Sequence, residues 1–479
     1  MNQTNILLPP LRVEDAAETA RRFTESASVS GTFLPTSECQ AWLAARQEAH
    51  GFQVNRIPFG TLEGWSFSGK TGDLVHDSGR FFAVTGLKVR RQQGQVVSWR
   101  QPIIVQPEIG ILGILVKEFD GILHCLMQAK MEPGNSNIVQ LSPTVQATRS
   151  NYTRVHKGSA TPYLDYFLAP REGKVLVDSL QSEQGGFFLH KRNRNIIVET
   201  EDDVELLPDF CWLTVSQVQD LLLADNVVNM DARTVLSGIP FSAPAPSEEP
   251  SNLFRDALVR SLDPDAGALH TLAEAVSWFT ENKSRYDLMQ ERIPLSEVDG
   301  WHRTSDEIAH ESGKFFKVVA VDVRAGAREV TRWTQPLLAP VAPALLAFLV
   351  KRFDGVLHVL LQARVAAGTF DIVEAGPSVH CTPEHYAEDR SEGWPAYLDD
   401  VLHADPSRVH FDNWLSEEGG RFYHAKNRYL VVEVADDFPA EEPENFLWLT
   451  VHQLMALMKC GYCLNVEART LLACMHALW

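Results

Sequence analysis

The sequence predicts a mixed α/β (α+β) protein built from two tandem copies of one α/β/α module, each a mixed β-sheet between helices. Three observations carry this reading. The stretch FDGILHCLMQAKM from Phe119 returns as FDGVLHVLLQARV from Phe353, and self-similarity on this scale signals duplication before any other fold reasoning. Within each copy, alternating apolar and polar runs read as strands, interspersed with helical patterns opened by capping signals. Between the copies lies FSAPAPSEEPSN, Phe241 to Asn252, a Pro/Ser/Glu linker. The expected division is therefore a first module over 1–240, a linker over 241–252 and a second module over 253–479.

In chain order, residues before about Val29 read as a helical arm, and Ser37 to His50 as a helix with Ser37 as its cap. The first module starts near Arg56. HDSGRFFAVTGLKVR alternates as a strand from Phe81, and VVSWRQPIIVQ around Trp99 is another, with Pro102 marking an edge or an end. ILGILVKEF and ILHCLMQAKM flank Asp120-Gly121, a two-residue turn signal, and so form a hairpin. In SLQSEQGG, Gly185-Gly186 is expected to break a helix, and Asn195 to Glu199 to begin the last strand. Thr214 and Gln217 fit a capping box, and Asn229 caps a further helix at NMDART. The second copy repeats the order: Gly300-Trp301 for Gly64-Trp65, HESGKFF for HDSGRFF, SEEGG for SEQGG, Thr450 and Gln453 for the capping box, and Asn465 to Thr470 for NMDART.

At 479 residues the chain can hold two or three domains, each with its own core. Apolar content of 45% and charged content of 22% are those of a globular protein. A net charge of −19 argues against non-specific nucleic-acid or anionic-membrane partners. MNQTNILLPPLRVEDAAETARR lacks the basic flank and apolar core of a secretory signal, and the longest apolar run, Leu337 to Val350, is broken by Pro340 and Pro343. Seven scattered cysteines suit a reducing compartment, so a cytoplasmic location is expected. The single C-x-x-C of Cys460 and Cys463 reads as packed thiols.

The chemistry-bearing stretch follows the hairpin. Gln128, Lys130 and Glu132 share one face of a strand at period two. After the breaker Pro133-Gly134-Asn135 comes a polar loop with Gln140, Gln146, Arg149, Asn151, Tyr152, Arg154 and His156. Amides, cations and a phenol in one row suit a polar ligand that carries phosphate. The other reading is a solvated strand face and loop.

QAKMEPGNSNIVQLSPTVQATRSNY, Gln128 to Tyr152, resembles the signature of the NDP-hexose 2,3-dehydratases. The resemblance covers almost the whole chain, since the second copy and its spacing also fit. It implies two Nudix-like modules per subunit, a homodimer, and a deoxysugar pathway of antibiotic biosynthesis. The implied substrate is dTDP-4-keto-6-deoxy-D-glucose. Its implied product, a 3,4-diketo-2,6-dideoxy sugar, passes to an NADPH-dependent 3-ketoreductase. Neither SLQSEQGG nor WLSEEGG supplies the RE-x-x-EE-x-G magnesium helix of a Nudix hydrolase, and GxGxxG is missing, so no metal and no cofactor are expected.

The implied reaction needs a base for the C3 proton, an acid at the C2 oxygen and a donor for the C4 oxyanion. Glu132 or His76 is the candidate base, Tyr152 a proton donor, and Lys130 the group that holds the C4 oxygen. Arg149, Arg154 and Lys157 are candidate diphosphate ligands. Trp65 or Trp99 could stack on the nucleotide base, although a buried tryptophan is the simpler account of either. Gln128, Asn135, Gln140, Gln146 and Asn151 complete the candidate substrate contacts.

The two copies differ where chemistry is expected: Glu132 becomes Ala366, Lys130 becomes Arg364, Gln146 becomes His380 and Asn151 becomes His385. Copy one is therefore the expected active module. Copy two is expected to hold a pocket without chemistry, at Trp301, Trp333, Arg364 and Tyr386. In the inverse assignment, residues special to copy two, such as Glu374, are the catalytic ones. Residues kept in both, such as His76/His310, Trp99/Trp333 and Arg194/Arg428, serve the fold or a shared nucleotide site. A Nudix-type nucleotide-sugar diphosphohydrolase and a non-catalytic nucleotide-sugar binding protein are the competing classes.

Overall fold

The computed structural model describes residues 16–31, 33–93, 95–148, 161–168, 174–244, 252–326, 331–386 and 393–479. Each copy contributes one seven-stranded mixed sheet. In the first, the strands Lys174–Ser182, Arg192–Glu199, Gly110–Phe119, Ile122–Met131 and Phe210–Thr214 lie in that order, with Val139–Ser142 and Val145–Ala147 paired alongside. Arg192–Glu199 runs parallel to Gly110–Phe119, and the other pairings are antiparallel. Copy two repeats the arrangement around Leu345–Phe353 and Val356–Arg364.

Local sequence sets these elements. Asp120 and Gly121 have φ of 50° and 82°, and Asp354 and Gly355 have 46° and 80°. That is the left-handed pair a type I′ hairpin turn demands. The Thr214 and Thr450 capping boxes both form, and Asn229 and Asn465 cap the helices Met230–Leu236 and Val466–Met475. One core holds one face of both large sheets, from Leu112, Ile114 and Met127 in the first to Leu346, Phe348 and Leu361 in the second, with helices from both copies between them. The opposite faces are covered by the short helices Asp165–Leu168 and Leu398–Leu402.

The copies are interlocked by exchanged strands. Gln53–Ile57 of copy one pairs in full register with Phe316–Arg324 of copy two. Asp287–Ile293 of copy two pairs with Ala83–Gln93 of copy one. Each exchange completes a five-stranded sheet, and a second core joins the two, with Trp65, Phe82 and Phe188 against Phe316, Leu338 and Phe422. The linker thus divides the sequence repeat without separating two bodies.

Three local expectations are corrected. Pro35, not Ser37, precedes the helix Thr36–His50, and makes no side-chain cap. SLQS ends the strand Lys174–Ser182 rather than a helix, because its alternation places Gln181 and Ser182 in the ladder with Asn193 and Arg192. Arg192–Glu199 is not the last strand of the copy, since Phe210–Thr214 follows. Phe241, the first residue of the expected linker, is buried, and its ring packs on His476 and Trp479.

Candidate active site

The turn after the Ile122–Met131 strand is built to dock on the other copy. Gly134 N–H donates to the Gly419 carbonyl at 2.7 Å, and the Gly134 carbonyl accepts from His424 N–H at 2.6 Å. A Cβ on Gly134 would collide with the Phe422 carbonyl, so glycine is required here by close approach. The arrangement is reciprocal: Gly368 N–H donates to the Gly185 carbonyl at 2.6 Å and its carbonyl accepts from His190 N–H at 2.9 Å. The strand end of each copy therefore meets the S-E-x-G-G loop of the other.

A cavity of about 720 Å³ opens at the first of these junctions. Copy one lines it with Trp65, His76, Gln128, Lys130, Glu132, Gln146, Lys191 and Asp231, and copy two with Trp333, Gln335, Glu418 and Arg421. Period two along the strand does bring Gln128, Lys130 and Glu132 to one wall. Glu132 is buried (4% exposed). Gln146 Nε2 donates to its Oε1 at 2.8 Å, and Asn135 and Asn229 amides sit 3.5 Å from its Oε2. Lys130 Nζ donates to the Gln146 carbonyl at 3.1 Å.

The other predicted residues divide. His76 lines the cavity, but its Nδ1 accepts from Ser78 N–H at 3.1 Å and its ring packs edge-on to Trp65, and His310 repeats both contacts with Ser312 and Trp301. The shared geometry gives both histidines the same place in a turn. Gln140 is wholly buried and binds Asn137 and Ser416, so it supports the loop rather than facing the cavity. Asn135 likewise holds the turn. Arg149, Asn151, Tyr152, Arg154, His156 and Lys157 lie outside the described residues. The tryptophans are reassigned by the strand exchange. Trp333, expected in the second pocket, lines the first cavity. Trp99, expected in the first, bonds Gln101 and packs with Leu189 against Ala367 of copy two.

Among the charged residues of this cavity that did not stand out in the sequence are Glu418, Lys191 and Arg421. Glu418 Oε1 and Glu132 Oε1 both face Gly420, lying 3.1 and 3.7 Å from where its Cβ would stand. Burial pushes the Glu418 carboxyl up to about 7. Arg421 and Lys191 oppose that rise, whereas Glu183 and Glu132 reinforce it. Asp231 is held well above the carboxylate range by burial, with Glu418, Glu183 and Glu132 adding to it and Lys130 opposing. Burial pushes the Lys191 ammonium down, and its Nζ donates to the Glu108 carbonyl at 2.6 Å and to Asn193 Oδ1 at 2.9 Å.

Aligning the copies makes the signal visible. Where the first junction has Glu132, Glu418, Lys191 and Arg421, the second has Ala366, Gln184, Ala425 and Phe187. Gln184 turns inward and donates to Glu417 Oε2 at 2.6 Å, and Phe187 packs edge-on to Phe316 and Phe422. Around Arg364 stand Gln362, His380 and Tyr386, with burial holding the His380 imidazole well below its ordinary range. Trp301 stays in its own half beside His310 and Phe316. Among the described residues no group of three or more His, Cys, Asp or Glu side chains is placed to hold a metal ion.

A sequence model of the family described as NDP-hexose 2,3-dehydratase matches residues 36–239 and again 272–475. The chain is 54% identical over 466 residues to a dTDP-4-dehydro-6-deoxy-alpha-D-glucopyranose 2,3-dehydratase of Saccharopolyspora spinosa, covering 96% of this chain and 95% of the relative. It is 48% identical over 476 residues to the protein of that name in Amycolatopsis orientalis (98% and 96% covered). It is 50% identical over 446 residues to the one in Streptomyces violaceoruber (92% and 97% covered).

Proposed function

The chain belongs to the NDP-hexose 2,3-dehydratase family, and from that premise we propose that it removes water across C2–C3 of dTDP-4-keto-6-deoxy-D-glucose. The product is dTDP-3,4-diketo-2,6-dideoxy-D-glucose. One observation supports copy one as the seat of the chemistry: the charged set at the first junction is replaced by Ala366, Gln184, Ala425 and Phe187 at the second.

The C4 ketone acidifies the C3 proton. Glu132 takes that proton, and Lys130 holds the charge that develops on the C4 oxygen. Glu132 is preferred to His76 because the amides of Gln146, Asn135 and Asn229 orient its carboxylate from one side. His76 instead spends its Nδ1 on a turn that copy two repeats. The C2–O bond then breaks as C2=C3 forms. The resulting enol tautomerises to the diketone, with no net oxidation. Trp65 and Trp333 offer aromatic surfaces to the nucleotide, and the cations Arg149, Arg154 and Lys157 are assigned to its diphosphate.

The same reading makes each module Nudix-like, the subunit half of a homodimer, and the setting a cytoplasmic deoxysugar pathway of antibiotic biosynthesis that feeds a 3-ketoreductase. Activity is expected to survive exhaustive chelation. Incubation with dTDP-4-keto-6-deoxy-D-glucose, an NADPH-dependent 3-ketoreductase and NADPH tests the function: mass spectrometry should find the reduced 2-deoxy sugar nucleotide. Unchanged substrate, or release of dTMP, would refute the reading.

A further inference from the structure

The elimination needs an acid at the C2 oxygen, because hydroxide is a poor leaving group. Copy one presents Glu132 on one side of the cavity. A second carboxyl comes from copy two: Glu418 and Glu132 both face Gly420 with Oε1. Both carboxyls are lost together at the second junction, as Ala366 and Gln184, whereas the neighbouring acid Asp231 keeps an acidic counterpart in Glu467. Paired loss is expected of two groups that serve one reaction, and retention of an acid that serves the fold.

We infer that Glu418 is a catalytic residue of the dehydration, the acid that protonates the departing C2 hydroxyl, so that one reaction is shared between the two copies. This rests on the dehydratase reading above. The C3 proton goes to Glu132. The electrons of the C3–H bond, held in the enolate, form C2=C3 as the C2–O bond breaks, and the oxygen takes the Glu418 proton and leaves as water. The enol then gives its O3 proton to Glu418 while protonated Glu132 delivers its proton to C2. Both carboxyls return to their starting states. A carboxyl raised to about 7 by burial, with Glu183 and Glu132 reinforcing and Arg421 and Lys191 opposing, is still protonated near neutrality and suits this role.

Deuterium at C3 separates the steps. With dTDP-4-keto-6-deoxy-D-glucose in D2O, Glu418→Gln should lose elimination by about a hundred-fold or more yet still exchange the C3 proton, read by NMR. Glu132→Gln should lose both. Glutamine already stands at position 184 of the matching loop, so the substitution suits the fold, and circular dichroism checks it. On the wild type, elimination should fall as pH rises through about 7 while C3 exchange does not. Normal elimination by Glu418→Gln overturns the inference. So does loss of exchange along with elimination, or Tyr152→Phe as the variant that exchanges without eliminating. If the wild type neither exchanges nor eliminates, the dehydratase reading itself fails.

Discussion

Arg233 and Arg469 trade places across the molecule. Each is wholly buried in the last helix of its own copy, and each donates to the backbone of the other copy's S-E-x-G-G loop, Arg233 to the Ser416 carbonyl and Arg469 to the Ser182 carbonyl. Arg469 Nε also meets Thr234 Oγ1 at 2.8 Å, and Arg233 Nε meets Thr470 Oγ1 at 3.5 Å. The loop that carries Glu418 is thus held by a residue of the half it serves. Arg233→Met leaves the Ser416 and Val228 carbonyls without these donors and should cost about 3 kcal/mol. A urea midpoint that barely moves would count against this.

On the proposed mechanism, the charged wall of the first cavity sets the rate. Glu132→Gln or Lys130→Met should lower turnover by about two orders of magnitude or more. Arg364→Met should lower it little, since copy two already lacks the carboxylate at Ala366. Steady-state rates decide it: abolition by Arg364→Met with Lys130→Met near normal would move the active site to copy two.

Gly134 carries the docking of one copy on the other. Gly134→Ala drives a Cβ into the Phe422 carbonyl and should cost about 2 kcal/mol, with turnover falling as Glu132 and Glu418 are pushed apart. Gly186→Ala meets no heavy atom within 4 Å and should be near neutral. Thermal melts of both variants, with rates alongside, test the contrast.

His476 gives a pH signature. Burial holds its imidazole down at about 3, while the unfolded chain protonates it near 6.5. The stability it confers is full above pH 6.5. It drains as pH falls from there to about 3, because the unfolded state binds the extra proton, by up to about 1.4 kcal/mol per pH unit. His476→Phe, which keeps a ring against Phe241, should flatten this acid limb. Identical pH dependence of urea unfolding in both proteins would exclude it.

What was legible in the sequence was local. Asp120-Gly121, the Thr214 box and the alternating run to Glu132 each specify their own geometry within a few residues, and each formed as expected. The strand exchange left no such mark. Gln53–Ile57 has the same alternation whichever copy it pairs with, and so the repeat alone puts Trp333 in the wrong pocket. Glu418 was hidden for a related reason. SEEGG is only the match of SEQGG until the Gly134 contact carries it into the other copy's cavity. The substitution of glutamine at 184 was on the page, but its meaning depends on which residues the loop faces.

The exchanged strands also say something about descent. Two identical chains joined by such an exchange would own two equal clefts, each made from both chains, and every mutation would strike both. Fusing the chains end to end frees each half to change alone. One cleft can then keep its charged side chains while its twin drifts toward alanine, glutamine and phenylalanine. The halves diverge without either becoming dispensable, because the charged cleft still borrows a wall from the other half.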